Sequence, residues 1–460
     1  MKSYLVTILS NSYFLLFVTA AFGAALGKIR IKGFTLGSTG GIFTGIVIGW
    51  GITELMDSLA EDPEVGTTAS SLVSGGLVPS GFMMFFLLLF ICAVGLSVGK
   101  KLKTVMNRNF FKLIAIGIFI PIVSMCMTLG VLKIAPTFIG DDYNIYQISG
   151  LYSGAMTNTA ALGTSMEVIG NIDAETRYEE LSDADKTRAL EMIGAEDTTP
   201  TDSLTEEQVG TFLGKAKANV STGYAISFPV GTVVIILAMT LISIPVNKRR
   251  PADWREQTPE VTEVVVDVRK RKKPGAGGFF FNAVAFGITI GCGILLGNIE
   301  VPLGNGVTFS LSAVGGVLIS ALVFGNISHI GPINMQQDPK ILGFVREFSL
   351  LFFMSVIGLS YGYDVIHAFA STGIFIAIMA LIIESIAILL AILIGRPLMK
   401  MDWGLLCGAI SGGCTSSVGL GAALNTMGGE EPTVGYGISQ PFAILANVIL
   451  ISLFHSYIFI

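Results

Sequence analysis

Charge is scarce in this sequence: Asp, Glu, Lys and Arg make up only 13% of its 460 residues, against about 25% in a soluble domain. Histidine is scarcer still, with three residues scattered singly. The five cysteines (Cys92, Cys126, Cys292, Cys407 and Cys414) lie in apolar or glycine-rich stretches at no metal-ligand spacing, which leaves them as small packing residues. No HExxH pair occurs and no Gly-x-Ser nucleophile is paired with a histidine in a span, so an intramembrane enzyme lacks the dyad or metal ligands it would need. A glycine loop ending in lysine is also missing, which argues against ATP-driven work. No cofactor is called for.

What is abundant is hydrophobic sequence, 52% of the chain, gathered in blocks of roughly 18 to 25 residues, the length that crosses a hydrocarbon core of ~30 Å. Fifty-five glycines suit close helix packing in lipid. The chain therefore reads as a multi-pass protein of a bacterial inner membrane. Lys2 and the apolar run after it could open a signal peptide, but the run continues to about Leu26 and ends in Lys28, Arg30 and Lys32, as a first span held by internal charges would. The net charge of −5 is unevenly spread, with acidic residues over Asn171–Gly210 and basic ones at Lys248–Arg250 and Arg269–Lys273. Short basic runs between spans fix orientation and give no reason to expect nucleic acid.

The chain is internally duplicated. FFLLLFICAVGLSVG (85–99) matches FSLLFFMSVIGLSYG (348–362), and GYAISFPV (223–230) matches GYGISQPF (435–442). Between these anchors GLYSGAMTNTAALG (150–163) opens like GLLCGAISGGCTSSVGLG (404–421). Ordered matches of this kind mark a repeat. Spans are expected near 11–27, 34–55, 82–99, 110–133 and 218–244, and again near 279–297, 307–325, 348–363, 371–395 and 434–458. The polar segments 147–170 and 402–426 sit before the last span of each half.

Positive charges then set the topology. Lys28 to Lys32, Lys100 to Lys112 and the 248–273 run mark the cytoplasmic side, as do Lys340, Arg346, Arg396 and Lys400. The counts agree only if 147–170 and 402–426 enter and return on the side they came from. The expected fold is an all-α polytopic membrane protein of two inverted repeats, residues 1–245 and 279–460. Each repeat has five transmembrane helices and one re-entrant or broken helical hairpin. A basic cytoplasmic linker, 246–278, joins them, and an acidic extracytoplasmic insertion occupies about 171–215.

Non-helical backbone at membrane depth must face protein or a water-filled cavity, and half-helix N-termini attract anions. The first segment supplies Thr157, Asn158 and Thr159, and the second Ser411, Gly412, Thr415, Ser416 and Ser417. With no lysine or arginine inside either segment, hydroxyls, the Asn158 amide and backbone N–H groups are expected to hold a small anionic or zwitterionic substrate. The alternative is plain small-residue packing. After each segment comes Gly-Tyr-x-Ile-Ser-x-Pro, giving Tyr224 and Ser227, then Tyr436, Ser439 and Gln440. Proline there frees a carbonyl, which fits either a substrate contact or a kink at a helix interface. Glu384, in LIIESIAILL, is a carboxylate deep in a span. Such a residue is a functional candidate, for proton coupling or for a polar contact at a domain or subunit boundary.

GLYSGAMTNTAALG followed by GYAISFPVG, with GLLCGAISGGCTSSVGLGAALN followed by VGYGISQPF, resembles the aspartate:alanine exchanger family of bacterial carriers. The most specific part is the Gly-Ala-x-Thr-Asn-Thr core, here Gly154 to Thr159. The resemblance implies exchange of amino acids or dicarboxylates, the wider cation/proton antiporter fold, and an elevator in which a mobile core slides on a dimeric scaffold. The alternative is a Na⁺- or H⁺-coupled organic-anion symporter or antiporter. Two departures stand out: only residues 246–278 fill the place of a large soluble region between the halves, and the second hairpin reads Ser411-Gly-Gly-Cys-Thr-Ser-Ser, not a Thr-x-Thr-Pro-type core.

Overall fold

The computed structural model describes residues 2–29, 37–102, 109–140, 144–195, 197–247, 280–304, 307–369, 372–427 and 431–459. The linker from residue 248 on, and the expected orienting charges Arg30, Lys32, Lys103 and Arg108, lie outside the described residues.

In the N-terminal half, α1 (Lys2–Leu9) and α2 (Ser12–Gly27) meet at a 74° bend, where the Asn11 side chain accepts the Phe14 N–H and starts α2 afresh. Then come α3 (Gly40–Ser58), α4 (Gly66–Gly75), α5 (Ser80–Leu102) and α6 (Phe110–Ile139). A pair of short helices follows, α7 (Ile145–Ala155) and α8 (Thr159–Gly170). The acidic segment folds into α9 (Ala174–Glu179) and α10 (Asp183–Ile193) ahead of the long α11 (Glu206–Asn247). The C-terminal half contains α12 (Ala283–Gly297), α13 (Ser312–Asn326), α14 (Pro339–Phe369) and α15 (Gly373–Leu393). A second short pair, α16 (Trp403–Gly413) and α17 (Ser417–Met427), precedes α18 (Glu431–Tyr457). Two small antiparallel strand pairs flank α13, β1 (Val301–Gly304) with β2 (Val307–Phe309) and β3 (His329–Ile330) with β4 (Ile333–Asn334).

Among the described residues six helices are long and apolar enough to cross a membrane, or seven with the α1–α2 pair counted as one span. Each of the ten expected blocks contains a described helix, but not all of these helices reach that length. At 15 residues each, α12 and α13 extend only about 22 Å at ~1.5 Å per residue. The β1–β2 ribbon takes the residues that would have lengthened them. Conversely α14 begins at Pro339, well before the expected start at 348, and α11 begins at Glu206 rather than 218.

The interior falls into two main apolar clusters. The larger draws on α2, α3, α5, α13 and α14, with Leu15, Ile46, Ile91, Leu318 and Phe353 buried together. The other draws on α6, α15, α16 and α18, with Ile120, Ala387, Ile410 and Ile451.

Each short pair doubles back. Gln147, at the start of α7, donates from Nε2 to Asn219 Oδ1 (2.8 Å), and Gly170, at the end of α8, sits beside Lys217 Nζ. Both ends of the first pair thus lie at one level of α11. In the second pair, Gly404 near the start of α16 packs on Glu431, and α17 ends at Met427, just ahead of that residue. The two pairs open at opposite ends of α18. Tyr146 donates its hydroxyl to Phe459 O (2.7 Å) and Arg177 Nη1 to His455 O (3.0 Å), at the end of α18 far from Glu431.

The outgoing arm of each pair lies tight against the following long helix. A methyl group on Gly154 would run into Ser227 Oγ, and one on Gly412 into Ser439 Oγ. Absence of a side chain is what lets the backbones approach this closely. The arms start on matching caps: Asn144 accepts from Tyr146 N (2.9 Å), and Asp402 from Gly404 N (2.8 Å).

Candidate functional site

The helices of each pair break at residues 156–158 and 414–416, and the two breaks touch. Thr157 Oγ1 donates to Cys414 O (2.8 Å), and Thr415 Oγ1 donates to Met156 O (3.0 Å). Both threonines hold positive φ, 47° for Thr157 and 52° for Thr415. A β-branched residue avoids that region, at a cost on the order of 1–3 kcal/mol each. The reciprocal hydroxyl–carbonyl bonds offset this strain and fasten one tip to the other. The returning arms begin immediately after the breaks. Asn158 Oδ1 accepts the Ala161 N–H (2.8 Å) and caps α8, while Ser416 Oγ accepts the Gly419 N–H (3.1 Å) at the head of α17.

Beside this junction lies a cavity of about 620 Å³. The first tip contributes Thr157, Asn158 and Thr159, and the second contributes Thr415, Ser416 and Ser417. Tyr436 and Gln440 of α18 and Thr232 of α11 add polar wall, while Phe90 and Val94 of α5 and Phe228 of α11 add apolar wall. Asn158 is only 1% exposed, and its Nδ2 has no hydrogen-bond partner. An unpaired buried donor is costly, and the helix N-terminus beside it favours an acceptor oxygen.

Of the residues singled out in the sequence, Thr157, Asn158, Thr159, Thr415, Ser416, Ser417, Tyr436 and Gln440 line the cavity. The others are placed elsewhere. Ser227 and Ser439 are fully buried, and their hydroxyls bond back to Gly223 O (2.6 Å) and Gly435 O (2.9 Å), where they serve the packing against Gly154 and Gly412. Ser411 likewise bonds to Cys407 O (2.9 Å). Tyr224 is buried behind the first tip, its hydroxyl 3.4 Å from Thr159 Oγ1. Glu384 is fully buried on α15 and reaches Cys414, behind the second tip and away from the cavity wall.

Two features of the structure escaped the sequence. Arg346 and Glu347 line the cavity mouth as an ion pair (2.8 Å), with the Ser38 hydroxyl also donating to Glu347. An arginine, paired with Glu347, therefore lines the same cavity even though neither hairpin carries one. The signal was the asymmetry of the duplication: the first half has Met83 and Met84 at the matching positions. The other feature is Glu167 of α8, 9% exposed, whose carboxylate accepts the N–H groups of Ala313 and Val314 (3.2 Å for the latter). Leu311, the N-cap of α13, has no side-chain oxygen to offer. A carboxylate from another helix takes that role, aided by the positive end of α13.

A bundle of long apolar helices around a polar cavity, lined by two doubled-back helix pairs, defines a multi-pass membrane transport protein. The chain belongs to the aspartate–alanine exchanger (Asp-Al_Ex) family, whose predicted permease membrane region matches residues 15–244 and 285–456. It is similar to an uncharacterized transporter of Bacteroides thetaiotaomicron, 29% identical over 39% of this chain and 33% of the relative. An uncharacterized transporter of Geobacter sulfurreducens is 30% identical over 37% of this chain and 31% of its own length. One of Corynebacterium diphtheriae is 31% identical over 36% and 29%. Each of these matches spans about a third of the relative's length.

Proposed function

We propose that the protein is a secondary active carrier that exchanges small carboxylate-bearing substrates, such as amino acids or dicarboxylates, across a bacterial inner membrane. The observation that carries this reading is the unpaired Asn158 Nδ2 at the head of α8, in a cavity shared by both helix breaks. A carboxylate there would satisfy the amide and the α8 N-terminus together, with Arg346 within the same space.

The two halves are read as inverted repeats of five spans and one hairpin each. That reading is supported by the paired sequence anchors, by the family match in each half, and by the opening of the hairpins at opposite ends of α18. Substrate held where two such hairpins meet is reached from either side in turn. The hairpins with α6, α11, α15 and α18 form a moving core, the remaining long helices form a scaffold, and two copies form a homodimer through their scaffolds. A cation-coupled symporter or antiporter is the second reading, favoured by the unpaired carboxylate of Glu384.

Counterflow in proteoliposomes preloaded with a panel of amino acids, dicarboxylates and larger organic anions tests the assignment. Internal small carboxylates are expected to accelerate uptake of labelled ones. No uptake above protein-free vesicles for any member would reject it. Orientation is tested separately, with the exposed native Cys126 and Cys292 replaced by serine. Glu191→Cys, on α10, is expected to react with a membrane-impermeant maleimide from the periplasmic side, and Lys400→Cys only from the cytoplasm. Labelling of both from one side would end the inverted-repeat reading.

A further inference from the structure

We propose that Glu384 and the C-terminal end of α7 form a binding site for a monovalent cation, a proton or Na⁺, lodged behind the touching hairpin tips. Neither oxygen of Glu384 meets an N–H or O–H donor, and the residue is 0% exposed. Among the described residues no lysine, arginine or histidine pairs with it. A bare carboxylate in apolar surroundings is strongly disfavoured without a positive partner.

The surroundings supply a second acceptor. A methyl group on Gly231 of α11 would sit 2.7 Å from Glu384 Oε2 and would also run into the carbonyl of Ala155. The missing side chain thus lets both oxygens close on the Gly231 backbone and lie near one another. Ala155 is the last residue of α7, where the helix dipole is negative. The N–H groups of the following turn go to Tyr152 O, Gly154 O and Ser153 O, not to Ala155 O. Two acceptors, one of them ionisable, converge without a strong donor, which is the complement of a small cation; carbonyls at half-helix C-termini serve Na⁺ and H⁺ in this way in transporters.

Among the described residues, the titratable side chain that reaches Glu384 is the Cys414 thiol, a weak donor. From the helices packed nearby, α6 presents Val131 and Ala135, α7 presents Ile148 and Leu151, and α11 presents Ile226. Because Cys414 O also holds the Thr157 hydroxyl, a cation bound at Glu384 bears on both tips of the cavity. Its role as coupling ion rests on the transport reading above, but the site can be tested without any substrate.

Purified protein in nanodiscs is melted in NaCl and in choline chloride at equal ionic strength, from mildly acidic to mildly alkaline pH. The wild type is expected to melt several degrees higher in Na⁺ if the ion is Na⁺, or toward acid pH if it is a proton, and Glu384→Gln is expected to lose that shift. The hydrophobic carbodiimide DCCD, followed by mass spectrometry, gives a readout on the wild type even if the variant does not fold. Adduct at Glu384 is expected to fall with added Na⁺ in the first case and with rising pH in the second. If wild-type melting and labelling respond to neither cation, or if Glu384→Gln keeps the shift, the proposal is overturned. That failure would leave the cavity assignment intact, because no carboxylate substrate enters either measurement.

Discussion

Transport is expected to stop when α8 is tied to α13. Glu167 and Ala313 face each other across the boundary between the proposed core and scaffold, held by the carboxylate that caps α13. In an elevator cycle this boundary slides, so the cap must break each time the core moves. Glu167→Cys combined with Ala313→Cys, bridged by Hg²⁺, fixes the boundary in the state described here. Uptake in proteoliposomes should fall to the level of empty vesicles and recover when a thiol reagent strips the metal. With the exposed Cys126 and Cys292 replaced by serine, each single variant should be indifferent to Hg²⁺, which separates bridging from simple modification. Undiminished uptake in the fully bridged protein would mean that α8 and α13 travel together, and the division into core and scaffold would fail.

Asn158→Ser is expected to weaken substrate binding roughly ten- to hundredfold. The Asn158 side chain lines the cavity, where its Oδ1 caps α8 through the Ala161 N–H and its buried Nδ2 has no hydrogen-bond partner. Serine keeps a capping oxygen but loses the donor, so helix stability is largely preserved. A hydrogen bond to a charged group contributes about 1.5–3 kcal/mol, and ~1.4 kcal/mol is one decade of affinity. Asn158→Asp, which keeps the cap and sets a like charge against the anion, should bind more weakly still. Calorimetry with the best counterflow substrate checks both variants. Unchanged affinity in Asn158→Ser and in Thr415→Ala would move the site toward Arg346 and Tyr436.

The doubled-back helix pairs were legible because two constraints met in the sequence. Charge placement allowed no extra crossing at 147–170 or 402–426, and glycine-rich polar stretches are poor lipid-facing spans. Thr157, Asn158 and Thr415 followed from their place at the centre of those stretches. Ser227 and Ser439 were harder to read. A serine four residues after a glycine looks like a donor for substrate, yet each is consumed by a carbonyl on its own helix and by the close pass of Gly154 or Gly412. That pairing exists only after the arms have packed. Arg346 was hidden for a different reason. Hydropathy marks where a helix becomes apolar, not where it begins, so a residue inside α14 looked like a flanking charge. Glu167 could not be found at all from local pattern, because the helix end it caps lies 146 residues away.

The contacts between the two halves also constrain how the protein is made. During synthesis the first hairpin and α11 emerge long before α18, yet the Tyr146 hydroxyl waits for Phe459, 313 residues later, and Thr157 waits for Cys414. Until the second half is inserted, the first must keep a strained, unclasped turn and several polar groups in the bilayer or in the insertion machinery. Locking of the first hairpin is therefore expected to await the arrival of the C-terminal helices.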